Sequence, residues 1–140
     1  MEGMTIIVKT MSRILVPFFL LLAVYITIHG HLTAGGGFPA GVVIAASVIL
    51  LLLAYGLTEQ EKRLALRISK SIWAFAAIMI FTIPTIGFIF SSYFFKNVGV
   101  YPRGWPTLVF SGGSLALFNI WEAIHVATAF IVAFYLLTRE

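Results

Sequence analysis

Cysteine is absent from the 140 residues, and only 10% of them carry a charge. The lack of thiols excludes a disulfide framework, a thiolate zinc or iron-sulfur site and a cysteine nucleophile. Soluble domains carry about 25% charged residues, so the scarcity of charge argues against a soluble globular domain. The composition is instead 61% hydrophobic, with a mean hydropathy of +1.05, which indicates a membrane protein.

Sequence signatures of catalysis are missing as well. The chain contains no GxSxG elbow, P-loop or HExxH motif, and three histidines without cysteine make a metal site improbable. We therefore expect no cofactor, no metal and no enzymatic activity of the chain by itself. A haem held by His29 and His125 is a remote alternative, because the two residues fall at different predicted depths. The net charge of +4 does not indicate nucleic acid, since the basic residues lie between apolar runs.

Four apolar runs are long enough to cross a bilayer, which requires roughly 20 residues each. They cover about residues 12–30, 36–57, 72–95 and 114–138. We predict an all-α integral membrane protein with a single four-helix transmembrane domain over 1–140. The basic start of the first run also resembles a signal peptide, but three further spans favour its retention.

The segment between spans two and three is charged. Thr58 and Glu61 form a capping-box pattern, followed by several basic residues. This pattern predicts a short cytoplasmic helix that leads into span three. Within span three, Pro84 predicts a kink, because proline removes a helical hydrogen bond.

The distribution of Lys and Arg predicts the orientation. With a cytoplasmic N-terminus, seven basic residues face the cytoplasm and two face outward, a strong positive-inside bias. Both termini are then cytoplasmic, in the plasma membrane. The seven inner residues are Lys9, Arg13, Lys62, Arg63, Arg67, Lys70 and Arg139, and the two outer ones are Lys96 and Arg103. The predicted outer loop also contains two aromatic residues that suit anchoring at the membrane interface and two prolines that suit turns: Tyr101, Trp105, Pro102 and Pro106.

Glu122 is an acidic residue inside the fourth predicted span, and it is the leading candidate for a functional residue. A carboxylate at a helix centre costs roughly 2.5 to 3.5 kcal/mol on insertion scales, so it should face protein or water. Asn119 and His125 lie three residues to either side, on neighbouring positions of one face. The three residues predict a proton or sodium pathway; an interhelical hydrogen-bond clamp is the structural alternative.

His29 and His31 lie near the outer end of span one. They are secondary candidates for the ion pathway, because they could meet Glu122 at similar depth. Interface anchoring or helix capping is the alternative.

Small residues begin span two at four-residue spacing, a pattern that permits close helix packing in membranes. An anion site at the exposed amides is a weaker alternative. The predicted packing residues are Gly35, Gly36, Gly37, Gly41 and Ala45.

Residues 29–43, HGHLTAGGGFPAGVV, carry a family resemblance. The segment resembles the MnhB (MrpB) subunit family of multisubunit Na⁺/H⁺ antiporters, which shows a Gly-His, a short spacer, Gly-Gly-Gly-Phe and a further Gly at the start of its second span. The four-span layout fits over most of the chain. Relatives of this subunit also occur in archaeal membrane-bound hydrogenase and sulfur-reducing complexes, and residues 119–126 depart from the bacterial pattern, which leaves open the parent assembly.

The resemblance implies an accessory membrane subunit that packs beside larger partners and helps to form a sodium and proton route. Its implied partners are other membrane subunits, with Na⁺ and H⁺ as transported ions and lipid around them. A purely structural subunit is the main alternative. A stand-alone four-helix exporter is a distant one, because such proteins use an acid in the first helix and span one here has none.

Overall fold

Four helices make up most of the protein: α1 (Ile6–His29), α2 (Gly37–Tyr55), α3 (Glu59–Ser91) and α4 (Ser114–Leu137). The computed structural model describes residues 4–32, 34–97, 99–101, 104–105 and 111–138. All four helices are long and apolar enough to cross a membrane. The predicted all-α membrane fold with four spans is therefore confirmed.

The helices lie side by side in the order α1, α2, α4, α3. Helix α4 packs between α2 and α3 and touches α1 more lightly, while the backbones of α1 and α3 do not approach each other within the described ranges. Both outer helices leave apolar side chains exposed, with Leu21 at 70% and Phe81 at 71% of their full accessibility. In a bilayer these surfaces face lipid or other polypeptides.

Small residues allow α2 to approach α4 closely. A methyl group built on Gly41 would lie 2.6 Å from the Ala123 carbonyl oxygen and 2.7 Å from the Val126 Cβ atom. One turn further, Ala45 is buried and packs with Ile131 of α4. In lipid, helices associate mainly through such van der Waals packing, because hydrocarbon offers no hydrophobic drive.

Helix α3 differs from the sequence-based expectation at its start. The capping box is present, because the Glu61 side chain accepts from the Thr58 N–H (2.8 Å) and Thr58 Oγ1 accepts from the Glu61 N–H (3.4 Å). The charged segment is nevertheless continuous with span three and is not a separate short helix. No glycine or proline occurs between Glu59 and Ile72, so nothing breaks the backbone ladder there. Helix α1 likewise begins earlier than the predicted span, at Ile6.

Pro84 is buried within α3, which runs through it without interruption to Ser91. The chain then folds back on this part of the helix. The Tyr101 hydroxyl donates to the Ile83 carbonyl oxygen at 2.6 Å, and burial raises the pKa of this phenol, which favours the protonated donor form. The kink itself stays a prediction.

One end of the protein collects basic side chains. The Met4 N–H donates to the Ala54 carbonyl oxygen at 3.0 Å, and the cationic groups of Lys9 and Arg13 lie 5.9 and 6.0 Å from the Tyr55 ring centre. The basic first turns of α3 belong to this same end, which we call the basic end, whereas Lys96 follows the other end of α3. That the basic end faces the cytoplasm stays a prediction, and Arg103, Arg139, Pro102 and Pro106 lie outside the described residues.

Asn97 closes the opposite end of the protein. Its Nδ2 atom donates to the Gly112 carbonyl oxygen at 3.0 Å, and its Oδ1 atom accepts from the Ser114 N–H at 3.1 Å. The side chain thereby satisfies a donor in the first turn of α4, as a capping residue does. Because Asn97 precedes α4 by 17 residues, no local capping pattern reveals this role.

The α2–α4 contact makes a prediction for stability. Gly41→Leu places its side chain against the Ala123 carbonyl, so overpacking should lower the free energy of unfolding by about 1 to 3 kcal/mol or more. Thermal unfolding of the full chain in detergent measures the change. Ala46→Leu places the same leucine side chain on the exposed side of α2 and should change the midpoint little; equal destabilisation by both variants would contradict the packing role.

Candidate functional site

The connection between α1 and α2 descends from the end of the protein into the helix layer. His31 lies level with the start of α4, because a methyl group on Gly112 would lie 2.9 Å from the His31 Cγ atom. Helix α2 begins only at Gly37, which lies against Glu122. Glu122 is eight residues into α4, so α2 starts about 12 Å deeper than α4 does.

Glycines bring the backbone of this connection against Asn119. A methyl group on Gly30 would lie 2.9 Å from the Asn119 Nδ2 atom, and one on Gly36 would lie 3.9 Å from Oδ1. Gly36 has a φ of +119°, a conformation that residues with a side chain rarely adopt. Non-helical backbone at membrane depth must be covered by protein, and the Asn119 amide lies at the surface of this segment.

The Glu122 carboxylate lies beside the first residue of α2. A methyl group on Gly37 would lie 2.5 Å from the Glu122 Cβ atom and 2.6 Å from Oε2. The N-terminus of α2 has no side-chain cap, and the partial positive charge of a helix N-terminus favours a nearby anion. Glu122 is about 5 Å from the middle of α4, well inside a hydrocarbon layer of about 30 Å.

The carboxylate is incompletely enclosed by this chain. Glu122 is partly buried, and in the described part of the chain no donor or cation lies within bonding distance of its carboxylate oxygens. A buried acid is usually paired or neutralised, because an isolated charge in a medium of low polarity is costly. Glu122 is therefore an ionisable group at membrane depth with no bonded partner among the described residues.

His125 turns away from Glu122 toward α3. Trp73 Nε1–H donates to His125 Nε2 at 3.2 Å, and His125 Nδ1–H donates to the Trp73 carbonyl oxygen at 3.2 Å. The two rings also stack, with centroids 5.7 Å apart. Both ring nitrogens are used, and acceptance at Nε2 assigns the neutral tautomer protonated at Nδ1.

The three polar residues predicted on one face of α4, Asn119, Glu122 and His125, therefore contact different neighbours. Three residues advance an α-helix by about 300°, so each step of three turns the side chain by about 60° around the axis. Asn119 lies at the α1–α2 connection, Glu122 at the start of α2 and His125 against α3. Asn119 and Glu122 thus lie against glycines at and before the start of α2, whereas His125 forms an interhelical clamp with Trp73.

The other predicted residues have separate surroundings. His29 stacks on the Tyr25 ring at 4.3 Å, and its Nδ1 atom lies 3.2 Å from the Tyr25 carbonyl oxygen. His31 packs on Gly112, and Gly35 contacts Ile26. No group of three histidine or acidic side chains comes together as a metal site within the described residues.

Sequence reasoning missed the partners of this site. Trp73, Gly30 and Gly112 contact the predicted polar residues, but each lies in another helix or loop. The one sequence signal for Trp73 is its indole N–H, which needs a hydrogen-bond partner when it lies within a membrane span.

The fold and the site together define a multi-pass helical membrane protein with an acid held at bilayer depth beside a helix N-terminus. The sequence identifies the family more closely. The chain belongs to the MnhB family: residues 7–132 match the domain described as related to the MnhB subunit of Na⁺/H⁺ antiporter.

Two proteins are similar to parts of this sequence. A Na⁺/H⁺ antiporter subunit of Bacillus subtilis is 38% identical over 52 residues, which are 37% of this chain and 36% of that protein. The putative antiporter subunit mnhB2 of Staphylococcus epidermidis is 30% identical over 70 residues, half of each chain. The matches thus span half or less of the length of these relatives.

A solved structure shows the same fold. A chain of the membrane-bound sulfane sulfur reductase, an archaeal respiratory membrane complex, aligns with a TM-score of 0.65 and 24% identity. The alignment covers 99% of this chain and 62% of that chain.

The Trp73–His125 clamp makes a second stability prediction. Trp73→Phe keeps an aromatic ring but removes the indole donor, so it should cost about 0.6 kcal/mol, the average for hydrogen bonds between membrane helices, and at most about 1.7 kcal/mol. Unfolding of the full chain in detergent measures this cost. Trp121→Phe is the control, because Trp121 makes an edge contact with Phe75 and its indole nitrogen bonds to no described residue; a larger loss in the control would argue against the clamp.

Proposed function

We propose that this protein is a non-catalytic membrane subunit of a multisubunit Na⁺/H⁺ antiporter module, and that Glu122 and Asn119 contribute to its ion path. The observation that carries the proposal is the Glu122 carboxylate, which lies at bilayer depth beside the N-terminus of α2 without a partner among the described residues.

The geometry suits exchange of two cations. A deprotonated Glu122 favours a bound Na⁺, and a protonated Glu122 is neutral and tolerated in hydrocarbon, so binding of one cation opposes binding of the other. The Asn119 side-chain oxygen is of the type that hard cations prefer as a ligand. Transporters commonly place such sites where a helix is interrupted within the membrane.

A single carboxylate does not complete a route across the membrane. About 12 Å of α4 separates Glu122 from the helix start, and no second intramembrane acid occurs along the described helices. Other subunits must supply the remaining groups, which agrees with the exposed outer face of α1. The names of the antiporter relatives support such an assembly.

A bracing role is the second candidate. Asn119 lies against Gly30 and Gly36, and such contacts support irregular backbone at membrane depth. In this case Glu122 bonds to a neighbouring subunit and transports nothing.

Replacement of Glu122 separates these roles. Glu122→Gln keeps the shape of the side chain but cannot exchange Na⁺ for H⁺, so sodium-dependent antiport by the assembled complex should fall at least tenfold while assembly persists. Antiport in everted membrane vesicles and co-purification of the subunits measure the two effects. Glu61→Gln is the control, because glutamine retains the capping box at the surface.

The outcomes for Glu122→Gln distinguish the ion-path role from the bracing role. Unchanged transport with unchanged assembly contradicts the ion-path role. Loss of assembly with Glu122→Gln supports the bracing role instead. Subunits with iron-sulfur clusters or nickel among the co-purifying polypeptides would place the module in a redox complex of the hydrogenase or sulfur-reducing type, and their absence would indicate a plain antiporter.

A further inference from the structure

A cavity of about 420 Å³ opens at the basic end between the start of α3 and the end of α4. Its basic lining comes from one helix, and Tyr135 of α4 forms the opposite side. The lining includes Lys62, Arg63, Arg67, Lys70, Leu66 and Tyr135.

The cavity has an excess of positive charge. Lys62 is paired with Glu59 at 2.6 Å, whereas Arg63, Arg67 and Lys70 make no ion pair with any described residue. Guanidinium groups bind phosphate through two parallel hydrogen bonds, so this lining fits a phosphate group.

An apolar groove continues along the same side of α3. It has a volume of about 390 Å³ and includes Ile78, Phe81, Thr85 and Ile89. Positions 63, 67, 71, 78, 81, 85 and 89 repeat at helical steps of three, four or seven residues, so the cavity and the groove share one face. The basic part comes first along the helix, and the apolar part begins roughly 10 Å further on.

The lengths of the helices place the two parts at different depths. Helix α3 has 33 residues and measures about 50 Å, while the hydrocarbon layer is about 30 Å thick. Its charged first turns therefore extend into the headgroup layer, and the groove lies beside the acyl chains. Basic side chains in the headgroup layer and an apolar groove in the hydrocarbon layer match the polar and apolar parts of a phospholipid.

We propose that this face of α3 binds an anionic phospholipid, with its phosphate at Arg63, Arg67 and Lys70 and an acyl chain in the groove from Ile78 to Ile89. The proposal is independent of the ion path at Glu122. Each cation near an anionic headgroup contributes enough to change affinity about fivefold.

Native mass spectrometry of the full chain in detergent tests this proposal. Phosphatidylglycerol should bind at least tenfold more tightly than phosphatidylcholine. Arg63→Gln combined with Arg67→Gln should reduce phosphatidylglycerol binding roughly 10- to 30-fold. Lys9→Gln combined with Arg13→Gln removes the same charge at the same end but outside the cavity, and should retain the binding.

The remaining outcomes decide against the proposal. Equal binding of both lipids, or an equal loss in both double variants, would show that general charge and not this face attracts lipid. Displacement of phosphatidylglycerol by inorganic phosphate at similar concentration would assign the cavity to free phosphate. If the arginine variant does not fold, Lys70→Gln compared with Lys9→Gln decides, and an equal effect of these two overturns the proposal.

Discussion

Backbone polar groups at membrane depth need partners inside the protein, because hydrocarbon supplies none. The α1–α2 connection is where this constraint is hardest to meet, since α2 begins about two turns below the start of α4. Glycines permit close approach there, and the Asn119 amide and the Glu122 carboxylate both lie against this segment, beside the uncapped N-terminus of α2. The proposed ion path therefore lies at the same break in the helix layer.

Helix α4 connects the parts of the protein. One face is pressed against the small residues of α2, another holds Trp73 of α3 through His125, and its start is capped by Asn97. A displacement of α4 would move Glu122 relative to α2 and strain the clamp at the same time. The candidate ion site is therefore coupled to the packing of the whole chain, which is why a bracing role and a transport role involve the same residues.

The side-by-side arrangement leaves both outer helices with uncovered faces. Helix α1 presents Phe18 and Leu21, and α3 presents Phe81 and Ile89 together with the basic cavity. A membrane protein can cover such faces with lipid alone, but a carboxylate without a bonded partner among the described residues is costly in hydrocarbon. The acid and the exposed face of α1 are the features behind the proposed place beside other membrane subunits, whereas the face of α3 is the one proposed to bind lipid.

The sequence alone determined the class of protein, the four spans, the capping box and the family, because hydropathy, spacing along a helix and a rare glycine motif are local properties of the chain. It also pointed to Glu122, since an acid in an apolar run is visible without coordinates. Which neighbour each polar residue meets was decided by tertiary structure: His125 contacts Trp73, 52 residues away, while Glu122 contacts Gly37. Residues three apart on a helix point about 60° apart, so only the placement of α2 and α3 around α4 could separate the site from the clamp.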